Sequence, residues 1–438
     1  MAAERRLKHS RLGRVSQLGR LAGGIAAGML GEGARQLASG NRPALSDMLL
    51  TPSNARRVGD RLAEMRGAAM KVGQLLSMDS GHLLPPELSA MLERLRGDAC
   101  PMPIGQVGTA LKASLGEDWQ KAFRRFHFDP IAAASIGQVH RAELRDGTPV
   151  ALKLQYPGIR TSIDSDVDNV ATLLRWSRLV PEEIDLMPLL EEAKRQLHLE
   201  ADYHQEADRL IQFGEHLGDD ERYQLPRVHR QISAETVLTM DFLDGDPIES
   251  LVDASSVERN RAAADLLTLA LREVFDWGLV QTDPNFANYL YDAGSGRIQL
   301  LDFGATRTYP DACRMALRDL LRAAVDGDDI DLVRAAVAVG YLGEGDPQPY
   351  RLGVIRLLRT AAEPVHLTNF HFGESDIAER MRDVVMTLRL EQRYARLPPT
   401  GVLFLHRKLG GLYLLLSRLN ARLPVGQLLA PWLDRTPA

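Results

Sequence analysis

The spacing of hydrophobic positions divides this chain into helical and extended stretches. Apolar residues recur every three to four positions, the spacing of helices with one buried face, over about 58–96, 101–120 and about 161–217. Alternating or continuous apolar residues between turn signals predict strands at 126–134, 138–144, 149–155, about 225–232 and 236–242. After Gly245 the pattern is mostly helical and is interrupted by a short strand pair at 289–291 and 298–301.

The order of these elements is a helical prefix, a strand-rich lobe that contains one long helix, and a helix-rich lobe. This order predicts an α+β fold class, specifically a two-lobed protein-kinase-like fold with an N-terminal helical extension. The predicted divisions are a basic N-terminal arm at 1–50, the helical extension at 51–122, an N-lobe at 123–245 and a helical C-lobe at 246–438.

Composition and charge exclude several classes of protein. The 438 residues are 45% hydrophobic and 25% charged, which is typical of a folded chain and not of a disordered one. A formal net charge of −5 disfavours a globally basic nucleic-acid binder. The two cysteines, Cys100 and Cys313, cannot form a disulfide framework or a multi-cysteine zinc site, so a reducing cytoplasm is the expected environment.

The N-terminal arm is basic although the whole chain is not. Residues 1–20 hold six Lys or Arg and one acid, and the apolar stretch that follows, 21–30, is shorter than the roughly 20 residues that span a bilayer. The apolar run 401–416 is interrupted by three basic residues, His406, Arg407 and Lys408, so no transmembrane segment is expected. The arm is interpreted either as a solvated or loosely packed helix, or as a helix that lies on an anionic membrane or a partner helix.

A lysine in an apolar strand is the first candidate for chemistry. Lys153 lies in VALKL, and burying its ammonium is costly unless a carboxylate or phosphate meets it; taken alone, such a lysine is more often a strand-edge residue. The turn AAASIGQV just upstream lies where a nucleotide-binding hairpin places its phosphate-covering loop. Glycines are usual there, but this loop has Ala132, Ala133, Ala134 and Ser135, and only Gly137 remains.

Two later motifs carry metal and acid–base candidates. In QTDPNFAN, Asp283 precedes Asn288 by five residues, the spacing at which a kinase catalytic loop places its acid and a metal-binding amide. In LLDFG, Asp302 ends an apolar strand, which suits a carboxylate that bridges Mg²⁺ to phosphates, although such a segment can also be a plain strand exit. Either motif alone is weak. Together with Lys153, and in this order, they predict a nucleotide-phosphate and Mg²⁺ site.

These loops resemble the UbiB-type atypical kinase family, most nearly its coenzyme Q branch. The resemblance is carried by AAASIGQVH, QTDPNFAN and LLDFGATR, by KVGQ at 71–74, and by LEADYHQEA at 199–207, and it extends over about 45–420. The segment LPPTGVLFLHRKLGG at 397–411 also resembles the C-terminal helical region of this branch. In this sequence Gln281 and Thr282 precede Asp283, where kinases usually have His and Arg.

The resemblance implies a role for each matching residue. The catalytic group would comprise Asp283, Lys153 and Glu206, with Glu206 pairing Lys153. Mg²⁺ would be held by Asn288 and Asp302. The nucleotide-binding residues would be Ala132, Ala133, Ala134, Ser135, Lys153, Met240 and Phe242. The substrate cleft would be covered, or regulated, by Lys71, Gly73, Gln74, Glu200 and Asp202, which without the resemblance read as a surface helix turn and a solvated acidic face.

The implied activity is an atypical kinase-like ATPase or small-molecule kinase that uses ATP or ADP with Mg²⁺ and supports ubiquinone biosynthesis. An occluded cleft disfavours peptide substrates, and the alanine loop is associated with ADP selectivity. Expected partners are adenine nucleotide, a lipid or quinone precursor, an anionic membrane surface, and ubiquinone-biosynthesis proteins or a second copy, at a cytoplasmic membrane face and without nucleic acid. Two alternatives stay open: a nucleotide-gated pseudokinase scaffold with little turnover, and a phosphotransferase of aminoglycoside-kinase type, which does not account for KVGQ.

Overall fold

The computed structural model describes residues 65, 67–69, 71–73, 101–134, 136–177, 186–388 and 398–433, without the side chains of 173–177 and 186. The chain divides into two compact units. The first unit extends to Gln205 and includes Val228–Phe242; the second comprises Glu206–Arg227 and Leu243–Ala438. The predicted arm at 1–50 and most of the predicted extension lie outside the described residues.

The first unit is built on an antiparallel sheet. Four of its strands are β1 (Phe123–Ala133), β2 (Gly137–Leu144), β3 (Pro149–Gln155) and β5 (Val237–Asp241), and they lie in the order β1-β2-β3-β5. Its helices are α1 (Ile104–Leu115), α2 (Ile159–Ser177) and α3 (Leu186–Glu200), with α4 (Tyr203–Leu217) beginning at the end of this unit. Short helical turns lie at Trp119–Ala122 and Arg230–Ile232.

The core of the first unit explains why α1 forms. Val107 and Leu111 lie one turn apart on the same face of α1 and are completely buried in a cluster with strand residues of the sheet, including Leu152. Trp119 and Phe126 close the cluster with rings in edge contact, 5.3 Å between centroids. The result is a firm support beneath β3, the strand that carries Lys153.

The second unit is mainly helical. Its helices after α4 are α5 (Ser256–Leu271), α6 (Asp311–Asp326), α7 (Asp329–Val339), α8 (Gln348–Ala362), α9 (Ile377–Met386), α10 (Thr400–Arg418) and α11 (Val425–Leu433). Its strands are β4 (Tyr223–Gln224), β6 (Asp246–Pro247), β7 (Leu279–Gln281), β8 (Tyr289–Asp292), β9 (Arg297–Leu300), β10 (Thr306–Thr308), β11 (Phe370–His371) and β12 (Arg422–Leu423). None of the helices in the described part of the chain is both long enough and apolar enough to span a bilayer.

Short helical segments connect these elements. Single turns lie at Ile248–Asp253, Phe286–Asn288, Glu363–His366 and Phe372–Glu374, and a wider π-helical turn at Arg272–Trp277 continues α5. Gly278 ends that turn with a φ of 61°, where a side chain would also meet the Tyr309 carbonyl oxygen. This reversal sends the chain directly into β7, the strand that leads to Asp283.

Two predicted elements differ from those observed. The predicted helix over about 161–217 is divided at Ala201–Asp202, where α3 ends and Asp202 accepts a hydrogen bond from the His204 N–H at the start of α4, 3.1 Å away. The predicted strand at 225–232 is wrong: β4 ends at Gln224, before Pro226, which cannot donate a ladder hydrogen bond. The predicted range holds one isolated bridge, between Val228 and Met240, and the helical turn at Arg230–Ile232.

Candidate functional site

Lys153 lies in the interior of the first unit's sheet. It pairs with Val139 of β2 on one side and Leu238 of β5 on the other, and the residue is 8% exposed. Its ammonium lies 5.3 Å from the centroid of the Tyr203 ring, close enough for a cation–π interaction. The lysine is therefore a buried strand residue and not the strand-edge lysine of the alternative interpretation.

The hairpin between β1 and β2 is closed tightly by its backbone. The Ala134 N–H donates to the Gly137 carbonyl oxygen at 2.9 Å, while Ala132 and Ala133 continue the ladder opposite Val139 and Gln138. A Cβ on Gly137 would lie 2.3 Å from the Leu154 carbonyl oxygen, so this position accepts only glycine. The retained glycine is thus required by the approach of β2 to β3. Ser135 lies outside the described residues.

The two nucleotide-binding candidates of β5 lie at the end of the same sheet. Met240 pairs with Ala151 and is buried. The Phe242 N–H donates to the Pro149 carbonyl oxygen at 3.0 Å, and the Arg141 guanidinium lies 4.3 Å from the centroid of the Phe242 ring. These contacts fix the last residues of the first unit beside β3.

In the second unit, one hairpin brings the two metal-binding candidates together. Tyr289 of β8 pairs with Leu300 of β9, so the residue before Tyr289 and those after Leu300 leave the hairpin side by side. The Leu301 N–H accordingly donates to the Asn288 carbonyl oxygen at 3.0 Å. Asn288 and Asp302 therefore lie next to the adjacent ends of β8 and β9. The Asp302 carboxylate accepts a hydrogen bond from the Gly304 N–H at 2.9 Å.

A second strand pair fixes Asp283. Gln281 of β7 pairs with Thr306 of β10, and the Thr282 N–H and hydroxyl both donate to the Ala305 carbonyl oxygen. Asp283 thus follows the end of β7, which is hydrogen-bonded to residues 305 and 306, shortly after Asp302. Its carboxylate accepts a hydrogen bond from the Asn288 side-chain amide at 3.2 Å. The loop from Asp283 to Asn288 is consequently closed at both ends.

The polar side chains at Asn288 and Asp302 are of the types that bind Mg²⁺. Both line one small cavity, together with buried Gln281. The Gln281 side-chain nitrogen donates to the Asp302 carbonyl oxygen at 3.3 Å, while its oxygen is buried without a hydrogen-bond partner among the described residues. Mg²⁺ in proteins keeps several waters and takes only one or two carboxylates with phosphate oxygens. The Asp302 carboxylate, the Asn288 amide oxygen and the Gln281 amide oxygen are therefore a set of oxygen ligands suited to Mg²⁺.

Glu206 lies beside the Asp302–Gly304 turn within the second unit. It is 3% exposed, and its Oε2 lies 3.4 Å from the position a Cβ on Gly304 would take. Phe213, seven residues later on α4, contacts Phe303 with ring centroids 4.6 Å apart. Helix α4 is thus packed against the DFG segment by both residues. The pairing of Glu206 with Lys153 stays a prediction.

The KVGQ segment makes a long-range contact in the first unit. The Lys71 ammonium donates to the Glu200 carboxylate, and their side chains are 6% and 14% exposed. Asp202 instead accepts hydrogen bonds from the His204 N–H and the Gln205 side chain; burial opposes ionisation, but these bonds outweigh it and lower the pKa of Asp202. Gly73 is buried and Gln74 lies outside the described residues.

Helix α10 supplies functional candidates that the motif analysis missed. Arg407 forms an ion pair with the Asp283 carboxylate, and Lys408 reaches a buried carboxylate, Glu273. A Cβ on Gly411 would lie 2.1 Å from the Pro284 Cβ, so this glycine lets α10 touch the loop directly. The available signal is HRK at 406–408, where three basic residues interrupt an apolar helix.

Comparisons with known proteins relate the chain to a kinase-like family. Residues 94–336 match the ABC1 atypical kinase-like domain. The chain is 35% identical to the atypical kinase COQ8, mitochondrial, of Saccharomyces cerevisiae, over 94% of this chain and 82% of that protein. It is 36% identical to the atypical kinase COQ8B, mitochondrial, of Rattus norvegicus, over 96% of this chain and 80% of that protein. The solved Rv3197–erythromycin complex from Mycobacterium tuberculosis is similar, with a TM-score of 0.61 at 26% identity, over 86% of this chain and 95% of that one.

These matches confirm the fold class and the family predicted from the sequence. The described chain mixes helices and strands as the α+β prediction requires, and its relatives are kinase-like. The chain belongs to the ABC1 atypical kinase-like family, the UbiB-type family that includes the COQ8 kinases.

Proposed function

We propose that this protein is an atypical kinase-like enzyme that binds Mg²⁺–adenine nucleotide and either hydrolyses it or phosphorylates a small molecule. The observation that carries the proposal is the convergence of Asp283, Asn288 and Asp302 at the ends of two strand pairs in the second unit. Such an arrangement serves phosphoryl transfer because that reaction depends mainly on positioning and on charge stabilisation.

Each residue has a part that its surroundings support. Asn288 and Asp302 would hold Mg²⁺, which when bound neutralises charge on the phosphates. Lys153, buried in β3, would bind phosphate oxygens, with Glu206 holding its ammonium in place. Asp283 would orient the attacking hydroxyl or water. For this, Arg407 would first have to share or release the Asp283 carboxylate. Ala132–Ala134 would cover the phosphates with a stiffer backbone than glycines give, which favours ADP.

We further propose a role in ubiquinone biosynthesis, at a membrane surface and on a lipid-like or quinone-precursor substrate. Support comes from identity of about one third, over most of the chain, to the COQ8 kinases and from the motifs of the coenzyme Q branch. The basic arm would contact anionic lipid, and ubiquinone-biosynthesis proteins or a second copy would be the protein partners. A metabolite comparison in a strain that lacks the gene tests this role: a quinone precursor is expected to accumulate, and an unchanged quinone profile would contradict it.

The KVGQ segment would cover the protein-substrate cleft. The support is the burial of Lys71 and its ion pair with Glu200, which holds the segment on α3. A surface helix turn would leave its lysine in water, whereas this one is 5% exposed. With the cleft covered, a peptide substrate would not enter.

The nucleotide site is tested by thermal shift and phosphate release with Mg²⁺–ATP and Mg²⁺–ADP. The Asp302→Asn variant should lose the Mg²⁺-dependent stabilisation and the turnover. Asp292→Asn is the matched control, because Asp292 lies at the far end of the same hairpin, where it accepts the Gly294 N–H at 2.9 Å. Equal stabilisation of the wild type and Asp302→Asn would refute the metal assignment.

A nucleotide-gated scaffold uses the same residues and differs in turnover. The ion pair between Arg407 and Asp283 is the observation that favours it, because the guanidinium engages the carboxylate that would otherwise accept a hydrogen bond from the attacking group. Tight Mg²⁺–nucleotide binding without phosphate release, for every lipid and quinone-precursor mixture tested, would favour the scaffold. Phosphate release that disappears in Asp302→Asn would favour the enzyme.

A further inference from the structure

A buried ion pair lies behind the catalytic loop of the second unit. The Lys408 ammonium of α10 is 3.2 Å from the Glu273 carboxylate, with side chains 4% and 1% exposed. The same ammonium donates to the Tyr289 hydroxyl at 3.1 Å. None of these three residues is a candidate metal ligand or nucleophile.

Each partner of Lys408 is joined to one end of the candidate site. Glu273 accepts the Gln281 backbone N–H at 3.0 Å, and Gln281 lies two residues before Asp283. Tyr289 directly follows Asn288 and begins the hairpin whose other end leads to Asp302. One ammonium therefore connects the strand that enters the loop with the strand that leaves it.

The local backbone is shaped for this contact. Glu273 lies in the π-helical turn Arg272–Trp277, a type of wide turn that is frequent at functional sites. Glu273, Gln281, Asn288, Tyr289 and Asp302 line one small cavity. Glu273 therefore faces the same space as the residues proposed to bind Mg²⁺, and a structural role in a distant core does not account for that placement.

Energetics argue against a purely stabilising purpose. A buried ion pair is often no more stable than apolar residues of similar volume, since desolvation offsets the attraction. Burial raises the pKa of the Glu273 carboxyl, and the attraction of Glu273 and Tyr289 outweighs burial and raises the pKa of the Lys408 ammonium. The net contribution of this charged pair to the free energy of folding is therefore small, and stability alone does not explain its place in the core.

We propose that Lys408 is a positioning residue, which fixes the Asn288 metal ligand and the Asp283 loop through Tyr289 and Glu273. This inference rests on the proposed function, because it assigns the three residues to the support of its Mg²⁺ site. Lys408 acts through its partners and does not touch nucleotide. Loss of the ammonium should weaken Mg²⁺ binding in particular, as loss of outer-shell partners commonly does by 10- to 100-fold.

The experiment titrates Mg²⁺ at fixed ADP and follows thermal stabilisation of the full chain. Lys408→Met removes the ammonium and keeps most of the stem, and Tyr289→Phe removes only the hydroxyl. Arg418→Met is the control on the same helix, because Arg418 pairs with Glu249 at the surface with 59% of its side chain exposed. Leu332→Ala controls for stability, because Leu332 is fully buried in a different cluster.

The Mg²⁺ concentration for half-maximal stabilisation should rise about 10-fold in Lys408→Met. It should rise less in Tyr289→Phe and stay unchanged in Arg418→Met and Leu332→Ala. An unchanged Mg²⁺ requirement in Tyr289→Phe and Lys408→Met would overturn the inference, as would an equal rise in Leu332→Ala. If Lys408→Met does not fold, Tyr289→Phe alone decides by the same criterion. Wild type without any Mg²⁺–ADP stabilisation would instead refute the proposed function.

Discussion

The ion pair between Lys71 and Glu200 gives the sharpest stability prediction. We expect Lys71→Met to destabilise the first unit strongly, because it removes the ammonium and leaves the Glu200 carboxylate without this partner. Ala68 and Ala69 just before KVGQ and Val72 within it are at most 3% exposed, so the apolar stem of methionine can keep the packing of the lysine stem. The loss then reports mainly on charge.

The magnitude follows from the exposure of the pair. Exposed ion pairs contribute about 0.2–1 kcal/mol, whereas removing one partner of a fully buried pair costs about 3–5 kcal/mol. The side chains of Lys71 and Glu200 are 6% and 14% exposed, so the pair lies near the buried limit. We expect a loss of about 3 kcal/mol for Lys71→Met. The Lys71→Met/Glu200→Gln double variant should recover part of it, with a coupling of about 2 kcal/mol.

The assay is a double-mutant cycle on the first unit. A chain with two units can unfold in more than one step, so the unfolding free energy is read from native-state hydrogen exchange of β3. The control cycle uses Lys194 and Asp168, also in the first unit, whose side chains are 20% and 62% exposed and whose coupling should stay below about 1 kcal/mol. Strict additivity for Lys71 and Glu200 would refute the buried-pair reasoning and remove the support for a cleft cover.

Three further predictions test other parts of the chain. Exchange of Ala132, Ala133 or Ala134 for Gly should raise the affinity for ATP relative to ADP in titration calorimetry; an unchanged ratio in all three variants would exclude backbone stiffness as the cause. Deletion of residues 1–40 should reduce co-sedimentation with anionic liposomes without changing nucleotide binding, because each basic residue that contacts lipid contributes about 1 kcal/mol to the binding free energy. Sedimentation of the truncated chain as complete as that of the full chain would contradict this. Hydrogen bonds from Arg222 lower the pKa of Asp220 to about 2, so the carboxylate stabilises the fold fully above about pH 4 and loses that effect as the pH falls through about 2. Asp220→Asn should therefore cost about 1 kcal/mol at pH 7 and clearly less at pH 2 in thermal unfolding, and a difference that is undiminished at pH 2 would contradict the assignment.

The strands that carry motif residues could be predicted from the sequence because their signals are local. Alternation of apolar and polar residues predicted β3 and the strand pair β8–β9 within a residue or two of their observed bounds. The order of Lys153, Asp283, Asn288 and Asp302 indicates a kinase-like chain, and the last three lie at strand ends, where a polar side chain can leave the core. Pattern and chemistry point to the same fold at these positions.

Prediction failed where one residue redirects the backbone without changing the hydrophobic pattern. The apolar spacing continues from α3 into α4, but Asp202 begins a new helix because its carboxylate satisfies a free N–H. Pro226 similarly ends a strand that its apolar neighbours favour. Both are local effects, and both have a signal in the sequence: Asp202 is a residue that caps helices, and Pro226 lacks the N–H that a strand needs.

The contribution of α10 could not be predicted in this way, because its partners are more than one hundred residues away in the sequence. A helical pattern shows that residues 402, 405 and 416 share a buried face, but it does not show what an arginine and a lysine on that helix will meet. The structure shows that Arg407 meets Asp283 and that Lys408 meets Glu273. Buried basic residues in an apolar helix require carboxylate or hydroxyl partners, and in a chain with an acidic motif that requirement is itself a signal. The HRK triplet of α10 therefore indicates a basic support for the acidic catalytic loop.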